Sequence, residues 1–97
     1  MGRVNKNNQL IFYMTWCVYI LECKNGTLYT GITNDIRRRI RQHTLGTGAK
    51  YTRGKGPFNL IYKEKCLNRS EAQRREIKIK KLARKNKFSL TILEPHQ

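Results

Sequence analysis

The sequence is short of acid. Six Asp and Glu stand against 21 Lys and Arg in 97 residues, a formal net charge of +15. A compact chain with that excess repels itself, and a polyanion relieves the repulsion. Nucleic acid is the first partner this implies. An anionic membrane surface is second, but the basic stretches hold too few Phe, Trp and Leu to anchor an amphipathic helix in lipid. Long apolar runs are missing as well. Nothing approaches the roughly 18 residues of a membrane span, and the N-terminal stretch has no continuous apolar region of the secretory kind. Only three cysteines occur, Cys17, Cys23 and Cys66. An odd number, with no CxxC pair and no Cys/His cluster at zinc spacing, argues against a disulfide framework and a structural zinc. It fits reduced thiols in a cytoplasmic protein. Length excludes a multidomain enzyme and a wide dinucleotide-binding sheet, because 38% hydrophobic residues in 97 fill one modest core. Internal repeats and long low-complexity tracts are absent.

What is present argues for a folded domain: five Tyr, three Phe and one Trp can bury surface. Residues 1–13 read as a polar, Asn-rich extension, and residues 14–97 as one domain. Trp16 to Glu22 is rich in aromatic and β-branched residues, hence a strand. Lys24-Asn25-Gly26 is a turn, and Thr27 to Thr33 is the returning strand. A helix follows, capped by Thr33 or Asn34, with Asp35 in its first turn. Ile36, Ile40 and His43 share one stripe, with Arg39 at its edge. Gly46 and Gly48 end the helix. Residues 46–57 read as a mobile loop or short helical turn. Phe58 to Lys65 is a third strand. Ser70 is expected to cap a second helix from Glu71 to about Lys85. Residues 87–94 read as a short strand or packed tail. The expected fold is α+β: a three-stranded antiparallel sheet with flanking helices, in the order β-β-α-β-α.

Several residues invite a chemical reading. Ala72, Ile79 and Ala83 share one stripe of the second helix, and Glu76 lies inside it. A carboxylate on the inward side of so basic a helix is either paired with a neighbouring base or a ligand for a divalent metal. Tyr19 and Tyr29 occupy the two arms of the hairpin. A two-residue turn puts them on opposite faces, and a three-residue loop with Gly26 in a bulge puts them on one face. Arg39 and His43 are helix neighbours that could neutralise a phosphorane and move a proton. Gly31 is either a strand end or a point of close backbone approach. From Arg37 to Lys55 there are seven bases and no acid. Arg37, Arg38, Arg41, Lys50, Arg53, Lys55, Arg74, Arg75, Lys78 and Lys80 form the expected nucleic-acid surface.

From Trp16 to about Leu93 the chain resembles a GIY-YIG nuclease domain, in particular the short single-domain members of that superfamily. Tyr29-Thr30-Gly31 matches the second signature tripeptide, with Arg39 ten residues after Tyr29 and His43 one turn later. The first tripeptide is Cys17-Val18-Tyr19, which lacks the glycine but keeps the tyrosine ten residues before Tyr29. Ser70 to Glu76 with Ile79-Lys80 resembles the family's metal-binding helix, and Lys50-Tyr51-Thr52-Arg53 its loop after the first helix. Asn86 stands in a different context from the late asparagine of larger members. The resemblance implies phosphodiester hydrolysis with one Mg²⁺ or Mn²⁺ held by Glu76. Tyr29 would help deprotonate the attacking water, and Tyr19 would position it or the phosphate. Arg39 would stabilise the transition state, and His43 would assist proton movement. It also implies that both tyrosines share a face. The substrate would be nucleic acid, DNA ahead of RNA, met by a monomer or weak homodimer. The alternative is a noncatalytic basic nucleic-acid-binding module on the same scaffold.

Overall fold

The computed structural model describes residues 15–93. The expected N-terminal extension, residues 1–13, lies outside the described residues. The elements are β1 (Trp16–Glu22), β2 (Leu28–Thr33), α1 (Ile36–Leu45), a 3-10 turn (Lys50–Thr52), β3 (Asn59–Cys66), α2 (Arg69–Lys80) and α3 (Arg84–Leu93). The strands form one antiparallel sheet in the order β2-β1-β3. The expected α+β class holds, with one helix more than the expected order.

The central strand β1 separates two layers of core. Val18 and Ile20 face α2 and pack with Tyr62, Cys66, Ala72 and Ile79. Cys17, Tyr19 and Leu21 face α1 and pack with Tyr29, Ile36, Ile40 and Phe58. This explains why β1 reads as an unbroken apolar run rather than an alternation. Val18, Ile20 and Ile79 are fully buried, each contributing about 1.5–3 kcal/mol by removal from water.

The hairpin resolves the register question. Leu21 pairs with Tyr29 and Tyr19 with Gly31, so the loop is Lys24-Asn25-Gly26. The Cys23 N–H donates to the Thr27 carbonyl at 2.8 Å. Gly26 has φ +86°, in the left-handed region that such a loop requires. Tyr19 and Tyr29 therefore lie on one face.

Three helix boundaries differ from expectation. Asp35 is the cap of α1, its carboxylate accepting from the Arg38 N–H at 3.1 Å. Neither Thr33 nor Asn34 caps it; the Thr33 hydroxyl instead accepts from the Asp35 N–H. Asn68, not Ser70, caps α2: its side-chain oxygen accepts from the Glu71 N–H at 2.8 Å. Glu71 reaches back to the Leu67 N–H, which completes a reciprocal cap. Finally, α2 stops at Lys80 rather than Lys85, and Ala83 is exposed. The break lets α3 turn back onto the body. Leu90 then joins the Val18–Ile79 core, and the Arg84 guanidinium donates to the Gly26 carbonyl at 2.8 Å. The segment read as a strand or tail is this third helix.

Candidate active site

Four of the five candidate catalytic and metal residues derive their positions from the α1 face of the sheet. Tyr19 rises from the middle of β1 and is fully buried. Its ring crosses Gly31 on the paired strand. A Cβ at Gly31 would sit 2.6 Å from the Tyr19 hydroxyl and 2.9 Å from Tyr29 Cε2. No side chain fits there, so the glycine of Tyr29-Thr30-Gly31 is what permits the two rings to converge. Their centroids are 6.3 Å apart. His43 comes from the last turn of α1 and is 1% exposed. Its ring lies 5.9 Å from Tyr19 and 5.1 Å from Tyr29. Arg39, one turn earlier, places its guanidinium beside both tyrosine hydroxyls. The Gln42 side chain accepts from Arg39 Nη1 at 3.0 Å and steadies it.

The hydrogen bonds fix proton positions. The Thr52 hydroxyl donates to the Ala49 carbonyl at 3.0 Å. Having given its proton there, it accepts from His43 Nδ1–H at 2.7 Å. The network thus assigns the Nδ1–H tautomer, which leaves a lone pair on Nε2. The Tyr19 hydroxyl donates to that lone pair at 2.8 Å. Burial, and then the nearby Arg39 charge, push the His43 pKa down to about 4, so the ring is neutral near pH 7. Burial raises the Tyr19 hydroxyl above the usual phenol range, against the pull of Arg39. Burial also works against the Arg39 charge, but the two tyrosine hydroxyls outweigh it and hold its pKa above the ordinary value. The result is a fixed cation, a buried phenol and a neutral imidazole in series. Tyr29 is half-buried and stands at the open side.

Glu76 lies across the sheet from this cluster, on α2. Its side chain is 21% exposed and pairs with Lys80 Nζ at 3.2 Å. It does not join the tyrosines directly. The link is a groove of about 260 Å³ along the edge strand β2, whose wall includes both Tyr29 and Lys80. Among the described residues no group of three or more His, Cys, Asp and Glu could hold a metal. That donor set does not suit zinc, which takes three or four protein ligands. It does fit Mg²⁺ or Mn²⁺, which one carboxylate can hold together with waters and a substrate phosphate.

The candidate nucleic-acid residues divide. Arg37, Arg38, Arg41, Lys50, Arg53, Arg74, Lys78 and Lys80 are exposed. Lys55 is half-buried, its Nζ 3.8 Å from the centroid of Tyr51. Arg75 is engaged elsewhere: its Nε donates to both oxygens of Glu64, at 2.8 and 2.9 Å. Arg69, which the sequence reading did not single out, joins Arg38 and Arg39 around a hollow of about 320 Å³. Thr52 and Tyr51 were also missed as site residues. They sit in Lys50-Tyr51-Thr52-Arg53, whose resemblance was visible while the role of each side chain was not. Tyr51 stacks on Tyr29 with centroids 5.9 Å apart.

Comparison with known proteins identifies the family. The GIY-YIG catalytic domain model matches residues 15–89. The UPF0213 protein OB0043 of Oceanobacillus iheyensis is 51% identical over 73 residues, covering 75% of this chain and 85% of that one. The UPF0213 protein CPE1444 of Clostridium perfringens is 56% identical over 73 residues, covering 75% and 78%. The solution NMR structure of the UPF0213 protein BH0048 from Bacillus halodurans is similar at 49% identity and a TM-score of 0.53. It covers 81% of this chain and 84% of that chain. The E. faecalis protein EF2693, also solved by NMR, has 42% identity and a TM-score of 0.56, with 84% and 90% covered. With the domain model matched over most of the chain and relatives about half identical, the chain belongs to the GIY-YIG catalytic domain family, alongside the short UPF0213 proteins.

Proposed function

We propose that the protein is a divalent-metal-dependent endonuclease that hydrolyses phosphodiester bonds in nucleic acid, DNA ahead of RNA. The observation that carries this is the buried hydrogen-bond chain of Tyr19, His43 and Thr52, with the Arg39 guanidinium and the half-buried Tyr29 beside it. A structural cluster needs no fixed cation beside two phenols. A phosphoryl-transfer site does, because charge builds on the phosphate oxygens. Arg39 supplies that charge. Tyr29, half-buried beside Arg39, would help deprotonate the attacking water. Tyr19 acts from below: its proton rests on the way to neutral His43, so its oxygen keeps lone pairs turned to Arg39. Glu76 would hold Mg²⁺ or Mn²⁺, which supplies neutralisation of the phosphate charge when bound. The exposed bases of α1, the Lys50–Lys55 segment and α2 hold the strand without reading its sequence. One such site on a monomer cuts one strand, and a double-strand cut takes two copies.

The test is a nicking assay on linear, branched and single-stranded DNA and RNA with Mg²⁺ or Mn²⁺. Glu76→Ala and Arg39→Ala, shown folded by circular dichroism, should lose cleavage. Cleavage equal to that of the parent in both variants, or none by the parent on any substrate, refutes the reading. The Lys80–Glu76 ion pair favours a second reading, a noncatalytic binding module, because it gives the carboxylate a partner without metal. On that reading Glu76→Gln binds nucleic acid as tightly as the parent or more tightly, and no cleavage is seen.

A further inference from the structure

We propose that the groove along the edge of β2 is a subsite for one unpaired nucleotide, the neighbour of the phosphate held at Tyr29 and Arg39. This rests on the nuclease reading for its place beside the scissile bond. Its own support is independent. The groove of about 260 Å³ is lined by Leu28, Tyr29, Thr30, Tyr51, Lys80 and Lys87. Tyr51 is 47% exposed, a large aromatic ring left open to solvent. Tyr29 stacks against it with an interplanar angle of 28°, and Lys55 sits over it. Lys55 lies over the ring, so an incoming base would stack on Tyr51 by displacing that flexible side chain while the phosphates meet the cations, as in single-strand binding.

The second observation is Thr30. It is 3% exposed, and its Oγ1 has no hydrogen-bond partner, yet it lines this groove. A buried hydroxyl without a partner is costly, and a ligand that supplies one recovers the loss. The Oγ1 is sealed from solvent in the free protein, so a base edge or a sugar would supply that partner once binding widens the groove. Lys80 and Lys87 line the same groove and would meet the phosphates of the strand. The wall thus offers an apolar contact at Leu28, a stacking ring, one buried polar group and two cations, the chemistry of a nucleotide.

The experiment is binding in EDTA, where no cleavage occurs. A single-stranded oligodeoxynucleotide carrying 2-aminopurine reports base stacking by quenching. Binding to the parent should quench it. Tyr51→Ala should bind about ten-fold more weakly with the quench lost, as expected for one base stack, while Tyr51→Trp keeps both. Thr30→Val, which keeps the side-chain shape, should weaken binding several-fold with an unchanged melting temperature. Lys80→Gln and Lys87→Gln should each reduce the salt slope by about 0.7. Tyr51→Ala and Thr30→Val binding and quenching like the parent overturns the proposal. So does the same sequence as a duplex, or a poly-glutamate peptide, competing as well as the single strand. Tyr51-dependent quenching without metal-dependent cleavage keeps the subsite and removes the nuclease reading. Glu76-dependent cleavage with a Tyr51-independent quench does the reverse.

Discussion

Thr52→Val removes one hydroxyl and leaves the side-chain shape. Thr52 is 1% exposed, and its oxygen receives the Nδ1–H of His43 at 2.7 Å. In the variant one buried donor goes unmet: that N–H or, once the proton moves to Nε2, the Tyr19 O–H. An unmet buried donor costs about 1–3 kcal/mol. At about 4–8 °C per kcal/mol for a domain of this size, a central loss of about 2 kcal/mol lowers Tm by about 8–16 °C. The imidazole has one escape: it moves its proton to Nε2. That nitrogen then donates to the Tyr19 oxygen, and the Tyr19 proton loses its acceptor. The relay runs backwards, and the lone pairs of Tyr19 no longer serve Arg39.

A correctly placed proton acceptor contributes about 10²–10⁴-fold to such reactions. We therefore expect Thr52→Val to lower kcat by about 10²-fold, with KM little changed, because Thr52 touches no substrate. Thr52→Ser keeps the hydroxyl and should restore most of both losses. Nitrogen-15 NMR of His43 separates this from general destabilisation: the proton should lie on Nδ1 in the parent and in Thr52→Ser, and on Nε2 in Thr52→Val. A Thr52→Val protein with His43 still protonated at Nδ1, or with unchanged kcat, refutes the reasoning.

Three further outcomes follow from the same contacts. Stability should fall as pH drops from about 6.5 toward 4, since folding holds His43 neutral and lowers its pKa to about 4; denaturant titrations should show this slope flattened in His43→Gln. Gly31→Ala should lose about 1–3 kcal/mol by overpacking, because its Cβ falls 2.6 Å from the Tyr19 hydroxyl; a thermal melt like that of the parent contradicts the ring-over-glycine contact. Arg75→Gln should lower stability by about 1–2 kcal/mol by leaving Glu64 short of its charged partner. Its effect on the salt slope of nucleic-acid binding should be smaller than that of Arg37→Gln, whose side chain is exposed.

The hairpin was readable because local chemistry determines it. Its register was not: Lys24-Asn25-Gly26 admits a two-residue turn or a three-residue loop, and the family resemblance, not the turn residues, favoured the loop with Gly26 in the left-handed region that the structure shows. The inward stripe of α2 was readable for the same kind of reason: Ala72 and Ile79 are buried, with Glu76 between them. The break after Lys80 was not. Ala83 continues the helical stripe, so periodicity cannot tell one long helix from two; the preference for Leu90 in the Val18–Ile79 core decides it. The same packing overrides the β-branched flavour of the last segment. Thr52 was hidden for another reason. It lies nine residues beyond His43, on a separate turn, and only the folded chain brings the two together. The N-caps were near misses of one or two residues, where several capping side chains stand in a row.

Placement on β2 rather than on the central strand has a physical basis. The tyrosines and Glu76 occupy opposite faces of one sheet, and no ligand reaches both faces through β1, which is buried on each side. An edge strand is different: its open side touches both faces at once. The groove there is lined by both Tyr29 and Lys80, the partner of Glu76. On the nuclease reading a phosphate at that edge would compete with Glu76 for Lys80, and the carboxylate so released would be free to bind a cation. Substrate and metal would then favour each other's binding by the same coupling free energy in both directions. Metal affinity measured with and without a non-cleavable strand tests this. We expect a several-fold tighter Mn²⁺ with the strand, abolished in Glu76→Gln; equal Mn²⁺ affinity in both states removes the coupling and leaves Lys80 as an ordinary surface ion pair.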